Sequence, residues 1–134
     1  MGVAIWVIRG DEVQACARVG EVLHFLARSP RHFARLRRTL TIIGVGAPIV
    51  PHGAYISRSR SCNLAVRELE LDSIPALAAT LIHATTEARL RRAVFERRAA
   101  TVEEWRRLRV VCARASADFL DYMQTLSRSG LTSA

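Results

Sequence analysis

Residues 73–88, SIPALAATLIHATTEA, contain two ionisable side chains, His83 and Glu87, and are otherwise apolar, small or hydroxyl-bearing. At about 100° per residue, Leu77, Leu81, Ala84, Ala88 and Phe95 fall on one side of a helix. Ala76, Ala79, Leu90 and Val94 fall on another. A helix that is apolar on nearly every side is buried on nearly every side. The chain must therefore wrap its other elements around this one. Charge returns at Arg89, Arg91 and Arg92, where the helix is expected to emerge into solvent.

The chain has 134 residues, half of them hydrophobic and 24% charged. That suits one domain with one core and excludes a disordered or low-complexity chain. The expected class is α+β, a small antiparallel sheet packed with the buried helix and a long C-terminal helix. Residues 1–134 then form a single domain, with a strand and helices over 1–38, the sheet over 39–71 and long helices over 72–127.

Residues 3–9 are β-branched and apolar, a short strand. Residues 11–28 have helical spacing, with Asp11 and Glu12 in the first turn. Pro30 opens a second helix over 30–38 that carries Arg31, Arg35 and Arg38 in one stripe. Strands are expected at 39–45, 54–57 and 64–69, with a polar turn at 58–63. Asp72 is the expected N-cap of the buried helix, which should run over 73–98. Thr101 and Glu104 form a T-x-x-E capping box that starts the last helix. Its apolar positions are Trp105, Leu108, Cys112, Ala115, Phe119, Tyr122 and Leu126, and its tail from Ser127 should fray.

Net charge is +8, and every one of the 20 basic residues is Arg. Such a surface attracts acidic partners. Arg in place of Lys also follows from a GC-rich genome without selection for binding, and that explanation is the stronger. No zinc-finger or RNA-binding motif occurs, so sequence-specific nucleic-acid recognition is not expected. The Arg clusters at 35–38, 89–98 and 106–109 would rest on phosphate contacts alone. Cys16, Cys62 and Cys112 are odd in number and widely spaced, as in reduced, cytoplasmic chains. No apolar run approaches the ~20 residues of a membrane span. The N-terminus lacks the basic region of a signal peptide. Gly44-Val45-Gly46 is a lone GxG without the rest of a nucleotide-binding fingerprint. His24, His32 and His52 lack partners at ligand spacing and read as surface or packing residues.

His83 and Glu87 are four apart and project side by side, with Cβ atoms about 5–6 Å apart. A carboxylate on a buried helix needs a cation or an opening to solvent. The segment 80–90, TLIHATTEARL, resembles the zinc-peptidase motif H-E-x-x-H. It is closest to the L-x-H-E-A-T-H-A-R-L pattern of small zincin-like metallopeptidases of the minimal gluzincin type. Gly53-Ala54-Tyr55, the turn from Arg58 to Cys62, and Arg106 to Cys112 fit the same pattern, over roughly residues 39–119.

The resemblance implies that His83 stands at the first zinc-ligand position and Glu87 at the second. Ala84 stands where the general base should be. The third ligand falls near Arg109. Ala84 has no proton to exchange and Arg109 repels a cation. The expectation is a degenerate peptidase-like protein, without metal or cofactor, that reuses its pocket on a small molecule or peptide, as an accessory protein in biosynthesis. In that reading His83 and Glu87 do acid–base work, Arg109 completes the catalytic set by holding Glu87 ionised and binding an anionic group of the substrate, and Tyr55 and Arg89 bind substrate. A non-catalytic module with an Arg-rich face for an acidic partner is the alternative, and a divergent metal-dependent hydrolase a third. A homodimer is compatible with all three.

Overall fold

The computed structural model describes residues 2–95 and 100–133. The elements run β1 (Ala4–Val7), α1 (Glu12–Leu26), α2 (Pro30–Thr39), β2 (Ile42–Val45), β3 (Tyr55–Ile56), β4 (Ser61–Leu64), α3 (Val66–Leu71), α4 (Ile74–Phe95) and α5 (Val102–Ser133). The class is α+β, with a long C-terminal helix packed on the others.

The sheet has four strands in the order β1-β2-β4-β3. It is mixed, where an antiparallel sheet was expected. β1 and β2 run parallel, with Ile5 opposite Ile43, and β2 and β4 run parallel, with Ile43 opposite Cys62. Only β3 is antiparallel to its neighbour, with Tyr55 opposite Cys62. The cause is the connections. A parallel pair needs a long crossover, and α1 with α2 supplies it between β1 and β2. The loop at 46–54 and β3 supply it between β2 and β4.

Two local expectations fail for one reason. Residues 58–63 are not all turn, because Ser61, Cys62 and Asn63 belong to β4 and are buried. Residues 64–69 are not a strand, because β4 ends at Leu64 and Val66–Leu71 is helical. Leu69 is the one buried residue of α3. The Arg18 guanidinium donates to the carbonyls of Leu69 and Asp72, taking up acceptors that a short helix leaves free. Asp72 is therefore the C-cap of α3 and not the N-cap of α4. Ser73 serves α4 instead, its Oγ accepting from the Ala76 amide at 3.2 Å.

α4 is the axis of the fold and packs against α1, α2, α5 and β3. Leu77, Ala78, Leu81, Ile82, Ala84, Thr85 and Ala88 are all buried, as its composition requires. Its expected last turn, 96–98, lies outside the described residues. The α5 capping box is present in both directions. The Thr101 amide donates to Glu104 Oε1 at 3.0 Å, and the Glu104 amide donates to Thr101 Oγ1 at 3.1 Å. Leu108, Cys112, Phe119 and Met123 are the buried stripe of α5. Ser116 adds a hydrogen bond from its Oγ to the Ala79 carbonyl at 3.0 Å. Met123 takes the inward place expected of Tyr122, which is 42% exposed. A phenol keeps its hydroxyl wet, whereas a thioether loses nothing by burial. α5 continues through the tail expected to fray, to Ser133.

Gly46 lies at φ +75°, and a Cβ there would sit 2.8 Å from Arg9 Cβ and 2.9 Å from the Arg9 carbonyl oxygen. This glycine lets the loop after β2 pass against the segment after β1.

Candidate functional site

The face of α4 that carries His83, Glu87 and Arg91 looks toward β3, β4 and the first turns of α5. The spacing of four puts the three in one row. Glu87 Oε1 lies 3.7 Å from Arg91 Nη1, with the two side chains 18% and 30% exposed. The guanidinium of Arg91 also lies over two rings, 6.0 Å from the centroid of Tyr55 on β3 and 5.4 Å from that of Trp105 on α5. Arg91 thus ties three elements together around the carboxylate. His83 is half-buried, so the pair reaches solvent along one edge and is not sealed in the core.

Burial pushes the Glu87 carboxyl above its ordinary pKa, and the positive charges of Arg91 and His83 pull it back only in part. Two thiols feel the same carboxylate. Burial first, and then the Glu87 charge, push Cys62 up to about 12 and Cys112 up to about 11. Both therefore stay protonated near neutral pH and are not poised as nucleophiles.

The structure brings His83, Glu87 and Tyr55 together and separates the other two expected site residues from them. Arg109 is exposed and lines a shallow concavity with Val102, Trp105 and Arg106. The cation paired with Glu87 is Arg91, not Arg109. Glu87 and Arg91 have the favourable order for an i, i+4 pair, which the sequence displays. Arg89 points away from the cluster. It lies two residues past Glu87, nearly opposite on the wheel, and joins Arg31, His32 and Arg35 in a separate cleft. Cys62 and Cys112 had no sequence signal, because only the tertiary fold brings β4 and α5 to the same carboxylate.

The remaining histidines have structural partners or lie at the surface. His52 Nδ1 accepts from the Ala65 amide at 3.1 Å, and its Nε2 lies 3.7 Å from Asp72 Oδ2. His32 Nδ1 is 2.6 Å from Ser29 Oγ. His24 is exposed.

These side chains do not fit a zinc ion. Ala84, next to His83, is fully buried and offers no polar atom. Glu87 is committed to Arg91. Among the described residues, no three His, Cys, Asp or Glu side chains stand together so as to hold a metal ion. Among the same residues, no helix is long and apolar enough to cross a membrane. The chain matches no family model, no curated protein and no solved structure.

Proposed function

We propose that this chain is a non-peptidase protein of zincin-like ancestry that works through the Glu87 cluster, binding a small molecule or peptide or moving a proton on it without metal. The observation that carries this reading is the state of Glu87. Its burial outweighs two neighbouring positive charges, so its ionised form costs the fold stability at neutral pH. Side chains held at such a cost are concentrated at functional sites. A carboxyl shifted upward beside an imidazole suits general acid–base work near neutral pH.

The experiment separates this role from a structural ion pair. A carboxyl whose folded pKa is raised stabilises most while protonated, below its unfolded value. That contribution is lost as pH rises through the folded pKa. Glu87→Gln is therefore expected to melt higher than the parent near neutral pH, with the gap closing under acid. A structural ion pair would give the reverse, a Glu87→Gln variant that melts lower than the parent near neutral pH. The purified protein is also expected to leave casein uncut with or without added zinc. About one zinc per chain, lost on His83→Ala together with casein cleavage, would overturn the reading.

A second reading has its own support. Arg31, Arg35 and Arg89 come from two different helices to one cleft, which favours a non-catalytic module with an Arg-rich face for an acidic partner.

A further inference from the structure

On the opposite side of α4 from Glu87, the helices α2, α4 and α5 enclose a concavity of about 220 Å³. Arg31, His32 and Arg35 enter it from α2, Arg89 from α4 and Asp118 from α5. We propose that this cleft is a binding site for the phosphoryl group of a small phosphorylated molecule, gripped by Arg31, Arg35 and Arg89. The inference rests on the second reading above and names its ligand.

Three observations support it. The first is an excess of like charge, three guanidiniums against one acid in the lining. Arg31 and Arg35 are an i, i+4 pair of equal sign, which a free helix would avoid. Arg89 reaches the same place from another helix. Burial and the charges of Arg89, Arg31 and Arg38 push the pKa of Arg35 down. Among the described residues, none of the three guanidiniums makes an ion pair. Asp118 is the single acid of the lining. A dianion would neutralise what the protein leaves uncompensated.

The second is donor geometry. Thr85 and Thr86 spend their hydroxyl hydrogens on the carbonyls of Leu81 and Ile82 at 2.8 Å each. The free donors of the cleft are then the guanidinium forks, whose planar N–H pairs match phosphoryl oxygens. The third is size. The cleft is smaller than the ~300–1,000 Å³ usual for a whole drug-sized ligand. It suits an anionic head group with the rest of the molecule outside.

His32 supplies an internal reporter. Burial, Arg31 and Arg35 push its pKa down. Its ring is fixed by Ser29 and packs on Phe119 and Tyr122 at 5.0 and 5.6 Å between centroids. The charged and titratable groups around it are Arg31 and Arg35 from α2, Arg89 from α4, and Asp118 and Tyr122 from α5. An anion held by the arginines removes their repulsion and lets the imidazole take up a proton at higher pH.

The test is an NMR titration of the full chain with inorganic phosphate and with phenyl phosphate, following the four histidine rings at fixed ionic strength. The expected result is saturable movement of His32 at one site per chain, with an upward shift of its pKa. His24, His52 and His83 should stay still. Arg35→Gln combined with Arg89→Gln should weaken the response at least about tenfold. That variant should fold as well as the parent, because it removes like-charge repulsion. An equal response to matched sodium chloride overturns the proposal, as does an unchanged response in the double variant. Movement of His32 by a single-stranded oligonucleotide but by neither phosphate probe also overturns it, while leaving the acidic-partner reading in place. If none of these moves His32, both fail.

Discussion

Phe119→Ala is expected to lower stability by about 3–5 kcal/mol, the usual cost of emptying a fully buried aromatic position. In a domain of this size each kcal/mol is worth roughly 3–5 °C of melting temperature. Phe119 is 1% exposed and heads the large side chains that are fully buried. Its ring meets Phe25 of α1 edge-on at 6.3 Å and His32 of α2 at 5.0 Å. One side chain of α5 therefore holds contacts with two other helices. Neighbouring side chains are themselves locked, so the space left by the ring cannot collapse cheaply. Val110, 55% exposed on the same helix, is the matched control, and Val110→Ala should move stability by less than about 0.5 kcal/mol. A thermal melt distinguishes the two. A loss below about 1 kcal/mol for Phe119→Ala would show that α5 does not dock as described. The same substitution removes one wall of His32 and should blunt its response to phosphate without touching any of the three arginines.

How much of this was legible beforehand depends on where each signal lives. The burial of α4 is written in its composition, and the start of α5 in the Thr101–Glu104 box. Both signals are local, and both appear in the structure. β4 was hidden because its buried residues include Ser61 and Asn63, whose hydrogen bonds take the place of apolar side chains. α3 reads as a strand in the sequence because its six residues are too few to separate a helical period from a strand. Strand direction was not legible at all, since it depends on how the connections cross and not on the strands themselves.

The site divides in the same way. The juxtaposition of His83 and Glu87 follows from spacing. The Glu87–Arg91 pair has the same i, i+4 spacing, but the expected cation is Arg109, so this part of the site is missed. The expectation for Arg109 leaned on a ligand position in a resembling family, whose register on α5 is set by tertiary packing. Arg89 was misplaced although the helical wheel already sets it nearly opposite Glu87. The convergence of Cys62 and Cys112 on Glu87, and of Arg31 and Arg35 on Arg89, joins residues far apart in the chain and had no local signature.

Asn63→Ala is expected to cost about 2–4 kcal/mol, from buried polar groups left without partners. Asn63 is 2% exposed, in the middle of β4. Its Oδ1 accepts from the Ala47 amide at 3.0 Å, and its Nδ2 donates to the Val50 carbonyl at 2.9 Å. Its backbone holds the far end of the same loop. The Gly53 amide donates to the Asn63 carbonyl at 2.7 Å, and the Asn63 amide donates to the Ala54 carbonyl at 3.1 Å. One residue thus organises the whole crossing from β2 to β3. The loop in turn lies against α4, since a Cβ on Gly53 would come within 2.9 Å of Thr80 Cγ2 at φ +78°. Tyr55 follows two residues later and stacks under Arg91, the partner of Glu87. Loosening the loop should therefore reach the candidate site without altering any residue in it. Asn63→Asp is the sharper variant. It keeps an acceptor for Ala47 but turns a second oxygen toward the Val50 carbonyl and brings an unpaired charge into the sheet. It should be at least as destabilising as Asn63→Ala, although the two side chains have nearly the same shape. Hydrogen exchange should show early loss of protection at the Ala47 and Gly53 amides in Asn63→Ala and at the Gly53 amide in Asn63→Asp, with β1 and α1 protected until global unfolding. Full protection of Ala47 in Asn63→Ala would mean that the loop is held by its backbone alone, and that β3 keeps Tyr55 in place unaided.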